Sequence, residues 1–187
     1  MYDMKKARCA ECPQYLQFRE KEPRRQHGTT MRPGCRYCLA WKKRARLFKK
    51  KDPKIYVPRW CPRRISPPIL RVYGQREDAL HYHSVYTGGR KTMWPNAEGY
   101  ALRFQGRAVY TGRDFYSIIH NREQEHRVNA QEISEELGAP VSRYDVIEFD
   151  DGVKPMFYWC DLYKLRQIMF EPDKAEGYPP KDESSTE

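Results

Sequence analysis

The chain has 187 residues, with 35 Lys and Arg against 25 Asp and Glu, which gives a formal net charge of +10. Aromatic residues make up 13% of it, which is too many for a disordered protein, and the length suits one domain or two small ones. No run of about 18 apolar residues is present to form a transmembrane helix, and the first residues lack the apolar stretch of a signal peptide. We therefore expect a cytoplasmic protein with no membrane partner.

The positive charge is concentrated at the N-terminal end. Residues 1–76 hold 22 Lys and Arg but only 5 Asp and Glu, a net charge of +17. Residues 77–122 carry +2, and residues 123–187 carry −9. Such asymmetry indicates a basic binding surface in the first part of the chain.

We predict that residues 1–76 form a small basic module. They are rich in Cys, Pro, Lys and Arg and poor in aliphatic residues, so burial of apolar surface alone cannot hold them together. The run 41-WKKRARLFKKK-51 predicts a short helix that ends before Asp52-Pro53, because proline disfavours helix at the preceding residue. The segment 69-ILRVY-73 is typical of a strand.

Cysteine spacing is the strongest chemical signal in this module. Two C-x2-C pairs can supply four thiolates to a tetrahedral zinc ion, as in a zinc ribbon. Zinc binding would also provide folding free energy that the module lacks. The spacing favours Cys9, Cys12, Cys35 and Cys38. A set with Cys61 in place of Cys35 competes, because Cys61 follows a strand-like run, and His27 is a further candidate. We expect a structural zinc rather than a catalytic one.

The module also interleaves cations with aromatic residues, a pattern that favours nucleic acid. Lys and Arg neutralise phosphates, and aromatic rings stack on unpaired bases. We expect Tyr37, Trp41 and Trp60 to stack or pack. The alternatives are a solvated face or an acidic protein partner. The cations expected to contact phosphate are Lys42, Lys43, Arg44, Arg46, Lys49, Lys50, Lys51, Arg63 and Arg64.

We predict that residues 77–89 form a linker or short helix and that residues 90–170 form a mixed α+β domain. In that domain, two short strands flank Gly106. Asn129 and Glu132 form a capping box, so a helix begins there and ends at Gly138. The fold class is therefore α+β.

The clearest predicted hairpin surrounds Asp150-Asp151-Gly152, because an Asp-Gly turn lies between two alternating apolar runs. Cys160, in the second run, is expected to be a core residue. The segment 162-LYKLRQIMF-170 predicts a final strand or helix. Residues 171–187 predict a disordered acidic tail.

The sequence contains no P-loop, G-x-S-x-G or H-E-x-x-H motif, so we do not expect an enzyme. The alternative is a metal-dependent nuclease built on His81, His83 or Asp150. Ordinary structural roles explain these residues as well.

The stretch from 32-RPGCRYC-38 to 47-LFKKKDPKIYVPRWCPRR-64, together with 67-PPILRVYG-74, resembles a group of small uncharacterised proteins. These are encoded on phages and conjugative elements of Gram-positive gut bacteria. The resemblance implies that Cys38 and Cys61 both matter, and that the protein acts in the cytoplasm of a bacterial host cell. The segment 144-YDVIEFDDGVKPMFYWCD-161 is similar to the end of YodL-like domains from the same elements.

Genes of this kind often accompany conflict between phage and host. The resemblance therefore implies an anti-defence role, such as inhibition of a CRISPR nuclease. We predict a non-enzymatic phage or mobile-element protein that binds nucleic acid or a nucleoprotein through its basic module, residues 1–76. The alternatives are a protein-binding inhibitor of a host defence nuclease and a metal-dependent nuclease.

Overall fold

The computed structural model describes most of the chain: Cys9, 12–41, 43–50, Asp52, 57–87, 90–108, Phe115, 117–119, 129–161 and 165–179. Among these residues the fold is mixed, rich in β-strands and poor in helix. No helix in the described part of the chain is both long and apolar enough to cross a membrane.

The strands of the described residues form four antiparallel sheets, ordered β1-β4-β5, β2-β3, β7-β8 and β12-β11-β10-β6-β9. One complete α-helix, α1 (Ala130–Leu137), and two 3-10 turns (Ala97–Gly99 and Pro172–Lys174) accompany them in the described residues. The strands are β1 (Tyr15–Gln17), β2 (Arg24–Gln26), β3 (Thr29–Met31), β4 (Arg36–Cys38), β5 (Arg46–Leu47), β6 (Ile69–Gln75), β7 (Tyr82–Thr87), β8 (Arg90–Pro95), β9 (Tyr100–Arg107), β10 (Val146–Asp150), β11 (Met156–Cys160) and β12 (Leu165–Ile168).

The five-stranded sheet is the core of the protein, and both of its faces are buried. Successive residues of a strand point to opposite faces. In β11, Met156, Tyr158 and Cys160 join the core on the side of α1, whereas Phe157 and Trp159 join an aromatic cluster on the other side. Cys160 is therefore a core residue, as predicted. β6, which the sequence assigns to the basic module, lies inside this sheet between β9 and β10.

Helix α1 confirms the predicted caps. The Asn129 side chain accepts a hydrogen bond from the backbone N–H of Gln131 at 3.0 Å. Gly138 ends the helix with φ of 61°, a left-handed conformation that glycine adopts without strain. Ile133 and Leu137, four residues apart, are both buried against the sheet.

The hairpin around Asp150-Asp151-Gly152 is also confirmed. β10 and β11 pair from Val146↔Trp159 to Phe149↔Met156. The Asp150 carboxylate accepts a hydrogen bond from the backbone N–H of Gly152 at 2.8 Å, and Gly152 has φ of 96°. The final segment contains a strand, β12, which was one of the two predicted alternatives.

The linker or short helix predicted for residues 77–89 is wrong for residues 82–87, which form β7, and residues 88 and 89 lie outside the described residues. β7 pairs with β8 in a hairpin that runs from Tyr82↔Pro95 to Thr87↔Arg90. The segment contains Tyr82, Val85, Tyr86 and Thr87, and such aromatic and β-branched residues favour strands. The first of the two short strands expected around Gly106 is part of β9, which runs through that glycine to Arg107, and most of the second lies outside the described residues.

The prediction of a disordered tail is wrong for residues 171–179. The Glu176 backbone N–H donates a hydrogen bond to the Tyr100 carbonyl at 3.0 Å. The Glu176 carbonyl accepts one from the Leu102 N–H at 2.8 Å. Ala175 is buried, and Tyr178 packs against the aromatic cluster. Contacts with β9 therefore order the tail as far as it is described, and residues 180–187 lie outside the described part.

The basic head comprises the described residues from Cys9 to Ile65. Its sheet, β1-β4-β5, and its hairpin, β2-β3, enclose a small core of Phe18, Met31, Tyr37 and Ala45. These strands alone do not identify the head as a zinc ribbon. The short helix predicted for residues 41–51 is wrong, because Arg46 and Leu47 form β5. Like charges three and four residues apart weaken a helix, and pairing with β4 replaces it.

A buried ion pair crosses the central sheet. Arg71 and Glu148 face each other on β6 and β10, and their side chains meet at 2.6 Å. Glu148 is 1% exposed, and its other oxygen accepts a hydrogen bond from the Tyr73 hydroxyl. Gln105 on β9 accepts from Arg71 at 2.6 Å. Each buried charge is therefore matched by a partner.

We expect Glu148→Gln to lower the free energy of unfolding by about 3–5 kcal/mol, because it leaves the buried Arg71 charge without its counterion. Urea denaturation measures the change. Glu20→Gln is the matched control, since Glu20 pairs with Arg24 at 3.5 Å on the surface and its loss should cost under about 1 kcal/mol. Equal losses in the two variants would contradict this assignment.

Candidate functional site

Four cysteines line one small cavity in the head, which we call the four-cysteine cavity. They are Cys9, Cys12, Cys38 and Cys61, and the cavity has a volume of about 10 Å³. That is room for about one water-sized particle. Phe48, Trp60 and Val153 also line it, so most of its remaining wall is apolar.

Local structure brings these cysteines together from three parts of the chain. Cys9 and Cys12 share a turn, in which the Cys12 N–H donates to the Cys9 carbonyl at 3.1 Å. Cys38 is the last residue of β4. Cys61 lies in a turn in which its N–H donates to the Pro58 carbonyl at 3.0 Å.

The structure places Cys35 elsewhere. It packs against the core of the head, and its carbonyl accepts a hydrogen bond from the Phe18 N–H at 2.9 Å. The cysteines that meet are therefore those of the competing set, with Cys61 in place of Cys35. His27 lies in the two-residue turn between β2 and β3, where both it and Gly28 have positive φ, and this geometry joins two twisted strands.

Burial opposes ionisation of three of these thiols. It raises the pKa of Cys9 to about 12, with a further contribution from the neighbouring sulfurs of Cys61, Cys38 and Cys12. It also raises the pKa of Cys38 and of Cys61. Four thiolates here would therefore repel one another unless a cation compensated them.

Hydrogen bonds act in the opposite direction. The backbone N–H of Ala40 donates to the Cys38 sulfur, and those of Arg63 and Arg64 donate to the Cys61 sulfur; each lowers the pKa of its thiol. The Arg63 guanidinium also donates to the Cys12 sulfur at 3.6 Å. These donors would stabilise thiolates once a cation was present.

The donor set suits zinc in kind and in number, because four thiolates are a common ligand set of structural zinc. The arrangement is not that of a metal centre as it stands. Within the described residues, no group of three or more His, Cys, Asp or Glu side chains is placed to hold a metal ion. The four sulfurs would have to approach one another to coordinate an ion.

A second feature of the head is an open groove of about 400 Å³, which we call the Trp41 groove. Trp41 and Leu47 are its exposed apolar residues, at 40% and 44% exposure. The described residues that line it include three cations but no Asp or Glu. The lining residues are Thr29, Trp41, Arg44, Ala45, Arg46, Leu47 and Lys49.

Arg46 lies against two indole rings at the groove. Its guanidinium carbon is 5.4 Å from the centre of the Trp41 ring and 4.4 Å from that of Trp60. Trp60 is held in turn by Phe48, whose ring centre is 5.1 Å away, and by Asp52, which accepts its indole N–H at 3.1 Å. Cation–π contact and packing therefore fix both Arg46 and Trp60.

The three aromatic residues predicted to stack or pack have different environments. Tyr37 is 2% exposed, and its hydroxyl accepts a hydrogen bond from the Arg32 N–H at 2.9 Å, so it packs. Trp60 is half-buried and also packs. Trp41 remains accessible for stacking.

Of the predicted phosphate contacts, Arg44, Arg46 and Lys49 lie together in the Trp41 groove. Lys43, Lys50 and Arg63 are exposed, and Arg64 is half-buried. Lys42 and Lys51 lie outside the described residues.

The residues considered for a nuclease have structural contacts. The His81 ring forms a hydrogen bond with the Arg76 carbonyl, and His83 is exposed on β7. Asp150 caps its own turn through Gly152. Asp151 is 3% exposed, and its side chain accepts a hydrogen bond from the Val57 N–H at 3.3 Å.

Sequence reasoning missed the role of Asp52. Besides Trp60, it accepts a hydrogen bond from the Lys49 N–H at 2.7 Å, so it organises the turn after β5. An aspartate just before a proline, three residues after Lys49, is a known turn signal that could have identified this turn.

Comparisons with protein-family models, with curated proteins and with solved structures found no match. The resemblances to mobile-element proteins therefore remain predictions, and the function has to be argued from the geometry of the head.

We expect Asp52→Ala to destabilise the head by about 1–3 kcal/mol, because it removes two hydrogen-bond acceptors at once. Thermal unfolding followed by tryptophan fluorescence measures the change. Asp52→Asn is the comparison, since it keeps one acceptor oxygen but turns an NH2 donor toward the second N–H, so it should recover at most one of the two hydrogen bonds. A change too small to measure in Asp52→Ala would contradict this role for Asp52.

Proposed function

We propose that the basic head is a zinc-stabilised module, similar to a zinc ribbon, that binds nucleic acid. The observation that carries this proposal is the Trp41 groove. It combines an accessible indole with three cations, and the described residues that line it include no carboxylate.

The chemistry of the groove suits a polyanion with aromatic bases. Arg44 and Lys49 are exposed and can each neutralise a phosphate, which releases condensed counterions and favours binding. The net charge of +17 on residues 1–76 would attract such a ligand over a distance. A solvated basic face would not need an accessible tryptophan at its centre.

Zinc in this proposal is structural. Cys9, Cys12, Cys38 and Cys61 would hold it, and bound zinc would supply a double positive charge that favours their thiolate forms. It would join the start of the head to the end of β4 and to the turn before β6. A head with a small apolar core would gain stability from this link.

We expect the purified full-length protein to contain one zinc ion per chain by elemental analysis. Replacement of Cys9, Cys12, Cys38 or Cys61 by Ser should reduce the zinc content, because each supplies one ligand. Cys35→Ser is the matched control and should retain zinc. Loss of zinc in Cys35→Ser with retention in Cys61→Ser would support the other set, and wild-type protein without zinc would refute the metal site.

We expect the affinity for an oligonucleotide to fall steeply with salt, as measured by fluorescence anisotropy. In a double variant, Arg44→Gln with Lys49→Gln, the slope of log K against log salt should decrease by about 1.4 for a single strand, since each phosphate contact contributes about 0.7. Lys21→Gln with Arg25→Gln is the control, because both residues are exposed and neither lines the groove.

Equal effects of the two double variants would mean that the head attracts nucleic acid only through its total charge. Absence of binding at low salt would overturn the proposal and favour the alternative, a basic surface for an acidic protein such as a host defence nuclease.

A further inference from the structure

We propose that the Trp41 groove selects an unpaired nucleotide, whose base stacks on the Trp41 indole while its phosphate lies between Arg44 and Lys49. The head would then bind single-stranded nucleic acid in preference to duplex. This inference rests on the proposed function and adds to it the class of nucleic acid.

The shape of the groove is the first argument. Its volume of about 400 Å³ falls in the range of about 300–1,000 Å³ that is typical of pockets for small organic ligands. A concave site of that size suits one base and its sugar. In a duplex the bases are stacked on each other and cannot turn a face toward a side chain, so contacts there are mostly to phosphates.

The chemistry of the lining is the second argument. Trp41 is 40% exposed and Leu47 is 44% exposed, although both are large apolar residues in a strongly basic segment. Phosphate binding alone would not require them. A base would cover this apolar surface, and the Thr29 hydroxyl can donate to or accept from polar atoms at its edge.

Preorganisation is the third argument. Arg46 lies against both Trp41 and Trp60, and Trp60 is fixed by Phe48 and Asp52. The Trp41 ring therefore has a defined neighbour before any ligand arrives. Stacking on a ring that is already positioned loses less conformational entropy than stacking on a mobile one.

The test compares Trp41→Ala and Trp41→Phe with wild type in the full-length protein. Anisotropy would measure binding of a labelled single strand of about 12 nucleotides, within the span of known single-strand sites, and of a duplex of equal length. We expect Trp41→Ala to weaken single-strand binding at least about fivefold and to change duplex binding less than about twofold. Trp41→Phe keeps an aromatic face and should restore most of the loss.

Thermal unfolding of each variant shows whether the head is intact. If Trp41→Ala does not fold, Trp41→Leu replaces it, because leucine keeps apolar bulk but offers no aromatic face. Unchanged single-strand affinity in a folded Trp41→Ala variant would overturn this inference. Equal weakening for single strand and duplex would also overturn it. Displacement of the strand by polyglutamate as effectively as by an unlabelled strand would show that the groove takes an acidic protein segment instead.

The proposed function would survive the first two outcomes if the Arg44 and Lys49 double variant still reduced the salt dependence more than the Lys21 and Arg25 control. If the two double variants behaved alike, the head would attract nucleic acid only through its total charge, and the proposed function would fail only if no strand bound at low salt. The two experiments therefore separate failure of base stacking from failure of nucleic-acid binding.

Discussion

The turn between β10 and β11 attaches the basic head to the central sheet, and the candidate sites depend on this attachment. The Asp151 carboxylate accepts a hydrogen bond from the Val57 N–H, and its backbone carbonyl accepts one from Ile65 at 3.0 Å. Gly152 approaches the head so closely that an added Cβ would lie 1.9 Å from the Arg63 carbonyl oxygen. The segment from residue 57 to residue 65 is therefore held against the hairpin turn.

That attachment also accounts for the place of the four-cysteine cavity. Cys61 follows Val57 in the segment held by Asp151, and Val153 reaches the cavity from the hairpin turn. The head has a core of only a few large residues, which is small for an independent domain. A link between thiols from three parts of the chain would supplement that core where the head meets the sheet.

The sequence predicts features whose causes are local. The caps of α1 at Asn129 and Gly138 and the turn at Asp150-Asp151-Gly152 depend on neighbouring residues, and all are confirmed. It does not predict features that depend on distant pairing: the strand at Arg46 and Leu47 exists because β4 lies beside it, and Glu176 is ordered by β9. Spacing alone likewise favoured Cys35 over Cys61, because Cys35 forms a C-x2-C pair with Cys38. Only the fold shows that Cys35 packs against the core of the head instead.

The four-cysteine cavity and the Trp41 groove have no described lining residue in common, but residues that line the one contact residues that line the other. Phe48 and Trp60 line the cavity, and Trp60 also holds Arg46 in the groove. Cys38 and Arg46 are direct partners across β4 and β5, so a shift of this strand pair moves both sites. Side chains in contact do not respond independently, and a change at one is felt by the other. A metal ion that drew the four sulfurs together would act on the wall that positions Arg46 and, through it, Trp41. The proposed metal binding and ligand binding would therefore be coupled through Trp60 and Arg46, although no residue in the described part of the chain lines both the cavity and the groove.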